Sequence, residues 1–350
     1  MRLLQVMAGA EHGGAETFFV SLALALARAG LEQRVAIRRN PARAAALRAG
    51  GLEPLELRFG GPLDRLTPWR LKRLAAAFRP DIVLCWMSRA AAVMPSGPWL
   101  KLARIGGYYD LKYFRSCDQL LCITPQLVER YAALGWPRER LHFMPNFSTF
   151  EDEPAVPRSA FGTPEGAPLL LSLGRLHPAK ALDTLLHALA REPRAHLWLA
   201  GEGPSRGELE SLSAELGLTE RVRFLGWRSD KTALLKACDL CVFPSRSEAF
   251  GSVIVEAWAH RRPLVAAAAD GPKAFVEDGR TGLLVPIDDV GALAGAITRL
   301  IDEPALAASL VEAGYRRYRE EFTESACVAR YLGLFERLLA EAPPRRAGRS

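Results

Sequence analysis

Two groups of residues in the second half of this chain have the types and spacing to act on one ligand. The run Gly174-Arg-Leu-His-Pro-Ala-Lys180 sets two cations, Arg175 and Lys180, close together, and the run Glu248-Ala-Phe-Gly-Ser-Val-Ile-Val-Glu256 sets two carboxylates on the next stretch. A guanidinium is a planar fork and an ammonium a point charge, so together they can hold a diphosphate by charge-assisted hydrogen bonds. Two carboxylates can accept hydrogen bonds from sugar and ribose hydroxyls. The combination points to transfer of a sugar from a nucleotide-activated donor.

These side chains need strand ends and helix starts to aim them. Gly174 and Arg175 follow the strand-like run Pro168–Leu173, with Pro178 fixing the loop before Lys180. Cations at the end of a parallel strand turn into a cleft, whereas on an ordinary surface they are simply solvated. His177, in the same loop, reads as a supporting or exposed residue. Gly201-Glu202-Gly203-Pro204 follows the next strand and either lines the ligand or only turns the chain. Trp227, in Gly226-Trp227-Arg228, either meets a base or packs. Glu248 falls in a loop, exposed if it has no ligand, and Gly251-Ser252 opens a helix that carries Glu256, where a carboxylate also complements the helix dipole. Near the start, Gly13-Gly14-Ala15-Glu16 follows the first strand and opens a helix, as a tight turn or an anion-approach loop.

Strand-length runs alternate with helix-length periodic segments along the chain, which argues for parallel sheets covered by helices on both faces. The first half offers strands at Leu3–Ala8, Arg34–Ile37, Pro54–Leu57, Ile82–Trp86, Leu102–Ile105, Leu120–Ile123 and Leu141–Met144, with helices clearest at Ala15–Ala29, Leu66–Phe78 and Gln126–Leu134. The second half begins again at Pro168–Leu173 and continues with Ala195–Ala200, Val222–Leu225, Leu240–Phe243, Leu264–Ala267 and Leu283–Val285. Its helices include Leu182–Ala190, Arg206–Leu216, Lys231–Ala237, Ser252–His260 and Val290–Ile301. Residues 148–167, rich in Pro, Glu, Asp and Gly, read as a linker. The expected organisation is a Rossmann-like domain at 1–147, the linker, a second Rossmann-like domain at 168–322, a terminal helix at 323–341 and a basic tail at 342–350. Two such domains would face each other with their strand ends around a shared cleft.

At 350 residues, with 49% hydrophobic and 24% charged, the composition is that of a soluble globular protein rather than a disordered chain. Its apolar stretches are interrupted too soon to span a bilayer, and no signal peptide is evident, so a cytoplasmic location is expected. The six cysteines, at 85, 117, 122, 238, 241 and 327, lack a disulfide or zinc spacing; Cys238-Asp-Leu-Cys241 reads as part of a buried strand. An excess of 46 basic over 39 acidic residues permits anionic partners. It is concentrated around Leu66–Phe78, at Arg65, Arg70, Lys72, Arg73 and Arg79, and in the tail at Arg345, Arg346 and Arg349. No basic face with interleaved aromatics points to nucleic acid. The Leu66–Phe78 helix with Trp69 could instead lean on an anionic membrane or be a solvated helix face.

The ordered succession Gly-Gly-Ala-Glu, Pro145-Asn146, Gly174-Arg-Leu with Lys180, Gly201-Glu-Gly-Pro and the pair Glu248 and Glu256 resembles glycosyltransferase family 4, over about residues 1 to 340. That resemblance implies the GT-B fold, two doubly wound Rossmann-like domains with a C-terminal helix crossing back to the first, and a retaining transferase of the bacterial lipopolysaccharide or surface-glycan type. It implies a donor, UDP- or GDP-type, whose diphosphate is neutralised by Arg175 and Lys180. Glu248 would hold the sugar hydroxyls and Glu256 the ribose. Gly174, Gly201, Gly203 and Trp227 would line the donor, backbone groups of Phe250, Gly251, Ser252 and Val253 would add contacts, and Gly13 and Gly14 would approach from the other domain. A hexose would pass to a glycan or lipid-linked acceptor, at the inner face of a membrane. With two cations at the leaving group and no Asp-x-Asp motif, neither metal nor cofactor is expected.

One departure stands out: where many members carry a histidine, this chain reads Ile105-Gly106-Gly107-Tyr108-Tyr109-Asp110. That run, or Arg89, could supply polar contacts instead. Alternatives are a nucleotide-sugar epimerase of the same fold, a phosphorylase-like enzyme needing pyridoxal phosphate, and a non-catalytic nucleotide-sugar or glycan binder. A dinucleotide oxidoreductase is disfavoured, because Gly9-Ala-Glu-His-Gly-Gly14 is not Gly-x-Gly-x-x-Gly.

Overall fold

The computed structural model describes the whole chain except His12, Pro62, Glu151 and residues 343–350, so the basic tail read at 342–350 lies, apart from Ala342, outside the described residues. The chain divides into two compact units, Met1–Asn146 with the C-terminal segment from Glu324, and Phe147–Thr323.

The first unit contains, in chain order, β1 (Arg2–Met7), α1 (Gly14–Arg28), β2 (Glu32–Arg38), α2 (Pro41–Ala49), β3 (Pro54–Leu57), α3 (Leu66–Phe78), β4 (Ile82–Trp86), α4 (Met87–Val93), β5 (Leu100–Ile105), β6 (Gln119–Cys122), α5 (Pro125–Ala133) and β7 (Leu141–Phe143). Among the described residues its strands form one seven-stranded sheet in the order β3-β2-β1-β4-β5-β6-β7, parallel throughout. β4 and β5 are buried at every position, as parallel strands covered on both faces must be.

The second unit contains β8 (Leu169–Leu173), α6 (Leu182–Ala190), β9 (His196–Ala200), α7 (Arg206–Glu215), β10 (Val222–Gly226), α8 (Lys231–Ala237), β11 (Leu240–Phe243), α9 (Ser252–Ala259), β12 (Leu264–Ala267), α10 (Asp270–Phe275), β13 (Leu283–Val285), α11 (Val290–Asp302) and α12 (Pro304–Arg317). Its sheet runs β10-β9-β8-β11-β12-β13, again all parallel. α11 shows how sequence dictates an element here. The Asp289 side chain caps it by accepting from Ala292 N (2.8 Å), and Leu293, Ile297 and Leu300 then fall on one buried stripe. Opposite them α6 buries Leu185, Leu186 and Leu189 completely. Truncating any of these to Ala leaves a cavity and costs about 2–5 kcal/mol.

The final helix, α13 (Glu324–Glu341), belongs to the first unit, and Arg28 pairs with Glu324 at 2.6 Å. Arg104, buried on β5, is stacked between the Phe18 and Trp86 rings (4.5 and 4.7 Å) and donates from Nε to Tyr331 Oη on α13 (2.8 Å) and from Nη2 to Asn146 Oδ1. One buried guanidinium thus ties the residue where the chain leaves this unit to the helix that rejoins it.

Every run read as a strand is a strand, with ends shifted by a residue or two. Helices α2, α4, α10 and α12 were not named from the sequence; α2, α4 and α12 are alanine-rich, so their apolar periodicity is shallow, and α10 is only six residues long with Gly271 and Pro272 in it. Residues 148–167 are not featureless: Arg158–Phe161 makes a 3-10 turn, and Arg158 donates to Ala237 O and pairs with Asp239 (2.6 Å), binding this segment to the second unit. Cys238 lies just before β11, not within it, and its sulfur is 4.0 Å from Cys241. That neighbour, together with burial, pushes the Cys241 thiol up, as suits an inert core residue.

Candidate functional site

In the second sheet the strand order reverses between β8 and β11, so the loops leaving these neighbours diverge and open a crevice at their C-terminal ends. Arg175 and Lys180 leave β8, while Glu248 and the start of α9 leave β11. The sequence-predicted clamp and carboxylates therefore meet at the place where open α/β sheets bind ligands.

Arg175 is exposed and takes no partner among the described residues. Lys180 ends the 3-10 turn Pro178–Lys180 and forms an ion pair with Glu248 Oε2, its ammonium lying 5.4 Å from the centre of the Phe243 ring. Behind it Ser245 Oγ is buried without a hydrogen bond among the described residues, and lines the same pocket as Gly174, Arg175 and Lys180.

The loop that carries Lys180 is held by Arg246, which sequence reasoning missed. Its Nη1 donates to Pro178 O (2.6 Å), its backbone N to Ala179 O (2.9 Å), and its guanidinium pairs with Asp183 (2.6 Å) and Asp288 (2.7 Å). These carboxylates raise the Arg246 pKa, Asp183 first. Arg246 sits between two serines in a loop, where nothing in the sequence separates a strut from a solvated cation.

Glu248 is fixed from the other side, because its carbonyl accepts from Gly271 N at the start of α10 (2.8 Å). Gly251, the cap residue of α9, adopts φ 79° and offers no side-chain cap; Ile254 N donates to Gly251 O (2.9 Å), which leaves the Ser252 and Val253 amides to an anion. The Phe250 side chain is not part of the site surface: its ring packs at 4.9 Å against Phe275, so only its backbone is available. Glu256, one turn into α9, is buried. Its Oε1 accepts from Lys231 Nζ (3.4 Å), and its Oε2 has no hydrogen bond among the described residues. A buried carboxylate oxygen without a donor is costly, and ligand hydroxyls would satisfy it. Lys231 was also not foreseen; its only sequence mark is its place at the start of α8.

Gly201 and Gly203 are required by close approach. A Cβ at Gly201 would lie 1.8 Å from Gly174 O and one at Gly203 2.2 Å from Leu176 O. Without side chains the two segments run on past the strand ends as a ladder, with Gly174 N donating to Ala200 O (3.0 Å) and Leu176 N to Glu202 O (3.0 Å). Trp227, after β10, is 77% exposed, while its neighbour Arg228 pairs with Asp230 (2.5 Å).

Gly13 and Gly14 lie in the first unit, where the strand order reverses between β1 and β4. Here a resident anion was overlooked. The Glu16 carboxylate folds back into the loop and accepts from Ala10 N (2.7 Å), and a Cβ at Gly13 would lie 2.3 Å from its Oε2. Arg43, buried and drawn to Glu16, donates to Ala10 O (2.7 Å). Tyr131 Oη braces the Gly106–Asp110 run, accepting from Tyr109 N (2.9 Å) and donating to Gly107 O or Tyr109 O. Burial, with Glu16 nearby, pushes the Tyr109 hydroxyl up. Arg89 is exposed on α4.

The comparisons with known proteins match this arrangement. Residues 157–317 match the family described as glycosyl transferases group 1, and residues 12–148 match glycosyltransferase family 4. The chain is similar to two lipopolysaccharide core biosynthesis glycosyltransferases of Rhizobium meliloti. It is 38% identical to LpsE, over 95% of this chain and 97% of that protein, and 35% identical to LpsD, over 97% and 100%. Among solved structures, HepE of Anabaena in complex with UDP superposes with a TM-score of 0.84 at 22% identity, over 97% of this chain and all of that one.

Proposed function

This chain belongs to the GT-B glycosyltransferases of group 1 and family 4, together with the lipopolysaccharide core enzymes LpsE and LpsD, and from that premise we propose that it moves a hexose, with retention of configuration, from a UDP- or GDP-sugar to a glycan or lipid-linked acceptor in bacterial lipopolysaccharide or surface-glycan synthesis. The observation that carries the reading is the convergence at the β8/β11 reversal of two cations, an uncapped helix start and a buried carboxylate oxygen with no donor.

In this reading the donor diphosphate lies against Arg175, Lys180 and the first amides of α9. Glu256 accepts from the ribose hydroxyls. As the diphosphate draws Lys180, Glu248 is released to accept from the sugar hydroxyls. The bond between the anomeric carbon and the phosphate oxygen then breaks, leaving oxocarbenium character on the sugar and negative charge on the diphosphate. The cations stabilise that charge where it develops. The acceptor oxygen bonds to the same face, and its proton passes to the departing phosphate oxygen. Because Arg175 and Lys180 supply the positive charge, no divalent metal is required.

The reading also places the protein at the cytoplasmic face of a membrane as a peripheral enzyme. Among the described residues no helix is long and apolar enough to cross a membrane. What supports contact is α3, where Leu66 and Trp69 are exposed among Arg65, Arg70, Lys72 and Arg73, with Leu63 just ahead of them 96% exposed.

The test is turnover with UDP-, GDP- and ADP-hexoses against lipopolysaccharide-derived acceptors, with EDTA or magnesium, followed by NMR of the product anomer. Transfer from one donor in EDTA, giving the donor's own anomeric configuration, is expected. An inverted product or dependence on magnesium would contradict the mechanism, and release of free sugar as the sole product would favour the epimerase-like alternative.

A further inference from the structure

β7 is one of the two edge strands of the first sheet, and beside it α13 leaves a groove of about 420 Å³ that the donor chemistry does not use. On one wall stand His142, Phe143 and Met144; on the other, Arg330, Gly333 and Arg337. Arg330 and Arg337 are seven residues apart, two helical turns, so they share a face about 10 Å apart along the axis, within reach of a single ligand. Arg194, Arg246 and Arg317 all find carboxylates. Arg330 and Arg337 have none among the described residues, and Arg330 is instead laid 5.5 Å from the centre of the Phe143 ring. His142 donates to or accepts from Gln119 Oε1 (2.9 Å), and its pKa is lowered by burial and by Arg337, so near neutral pH it adds no positive charge of its own to that of the arginines.

Gly333 lies on the groove wall between the two arginines. Glycine is the costliest residue but proline inside a helix, yet a Cβ here would meet nothing within 4 Å. Packing therefore does not demand it. Gly207 and Gly295 are as open, so what sets Gly333 apart is its place on the groove wall between Arg330 and Arg337. The volume exceeds what a lone phosphate fills, and the partly exposed Phe143 ring offers an apolar wall of the kind a sugar ring lies against.

We propose that this groove binds a phosphorylated saccharide, the phosphate taken by Arg330 and Arg337 as charge-assisted forks and the sugar lying along Phe143. All of its residues belong to the first unit and none is shared with the β8/β11 site, so the two can be tested apart.

The experiment is calorimetry of the full chain with glucose 6-phosphate, with glucose and inorganic phosphate as separate arms. It uses the wild type, Lys180→Ala, the double variant Arg330→Gln/Arg337→Gln, and Gly333→Gln, which fills the groove while leaving both arginines. Saturable binding of the sugar phosphate is expected, within about twofold of wild type in Lys180→Ala and weakened roughly tenfold or more in the double variant and in Gly333→Gln. Glucose should not bind, and inorganic phosphate should bind several-fold more weakly. On saturation the His142 ring resonances should titrate at higher pH than in the free protein, because a bound anion favours the imidazolium. Absence of binding, binding that survives both groove variants, loss of binding in Lys180→Ala, or inorganic phosphate binding as tightly as the sugar phosphate would each overturn the proposal. Unchanged melting temperatures of the variants establish that they fold.

Discussion

Lys180 and Glu248 close an ion pair between loops that leave neighbouring strands, and their side chains are only 24% and 20% exposed. Each neutralises the other while the site is free, and a diphosphate competes with Glu248 for the ammonium. Lys180→Ala should therefore weaken nucleoside diphosphate binding by roughly 10- to 100-fold, the value of a charge-assisted hydrogen bond. Stability should change by no more than about 1 kcal/mol, because the pair is partly solvated. Calorimetry with UDP, GDP and ADP beside a thermal melt measures both, and nucleotide binding that ignores Lys180 would remove the clamp from the mechanism.

Glu256 makes a sharper prediction, because its buried Oε2 awaits a donor while Oε1 faces Lys231 at 3.4 Å. If ribose hydroxyls satisfy that oxygen, Glu256→Gln should weaken nucleoside diphosphate binding about tenfold. The 2′,3′-dideoxy nucleotide should bind the wild type as weakly as the ordinary nucleotide binds the variant. Combining both changes should then cost no more than either alone, the sign of one shared interaction in a double-mutant cycle. Additive losses would place Glu256 away from the ribose.

The strands were legible because parallel strands buried on both faces read as short continuous apolar runs, as Leu169–Leu173 and Ile82–Trp86 do. The strand-end cations, the loop carboxylate Glu248 and Glu256 on α9 followed from that alternation. What stayed hidden were properties of contacts between distant segments. Gly201 read equally as a turn or a ligand wall until its approach to Gly174 O was visible, and Arg246 looked like any loop cation until its bonds to Pro178 and Asp288 were seen. Glu16 belonged to a recognised motif, yet spacing alone did not reveal that its carboxylate occupies the loop meant for an anion.

Arg246 should behave as a positioning residue. Arg246→Lys keeps the charge but cannot reach Pro178 O, Asp183 and Asp288 together, so the turn bearing Lys180 loosens. The donor KM should rise several-fold with kcat falling less, and stability should drop by about 1 kcal/mol, discounted because Arg246 is 30% exposed. Equal loss of kcat with an unchanged KM would show that Arg246 does not act through the ground-state clamp.

Acid sensitivity should centre on Glu192, which follows α6 and is buried in the second unit. Hydrogen bonds from Arg194 (2.7 and 2.9 Å), aided by Thr298 (2.7 Å), hold its carboxyl at about 2 against the opposing pull of burial. A carboxyl depressed in the folded state contributes stability that is present above its unfolded pKa and lost as pH falls toward the folded value. The loss should therefore run from the ordinary carboxylate range down to about pH 2, and amount to about 2 kcal/mol once the half-exposed Arg194 is discounted. Denaturant melts over that window should show the slope in the wild type and a flatter profile in Glu192→Gln.

The surface of α3 separates two kinds of membrane attraction. Thr67, Leu71 and Ala75 turn inward, leaving Leu66 and Trp69 outward, with Arg73 stacked 4.9 Å from the Trp69 ring. An exposed indole beside several cations suits the headgroup layer of an anionic bilayer, where each Lys or Arg contributes about 1 kcal/mol. Vesicles containing phosphatidylglycerol should therefore sediment the protein, with binding reduced by high salt, and neutral phosphatidylcholine vesicles should not. Arg70→Gln/Lys72→Gln should reduce partitioning roughly 30-fold, from two such charges, and Trp69→Ala should reduce it while leaving its salt dependence intact. Neither change should alter nucleotide affinity, because the residues that read as the donor clamp, Arg175, Lys180, Glu248 and Glu256, all belong to the second unit and α3 to the first; partitioning indifferent to both substitutions would make α3 an ordinary solvated helix.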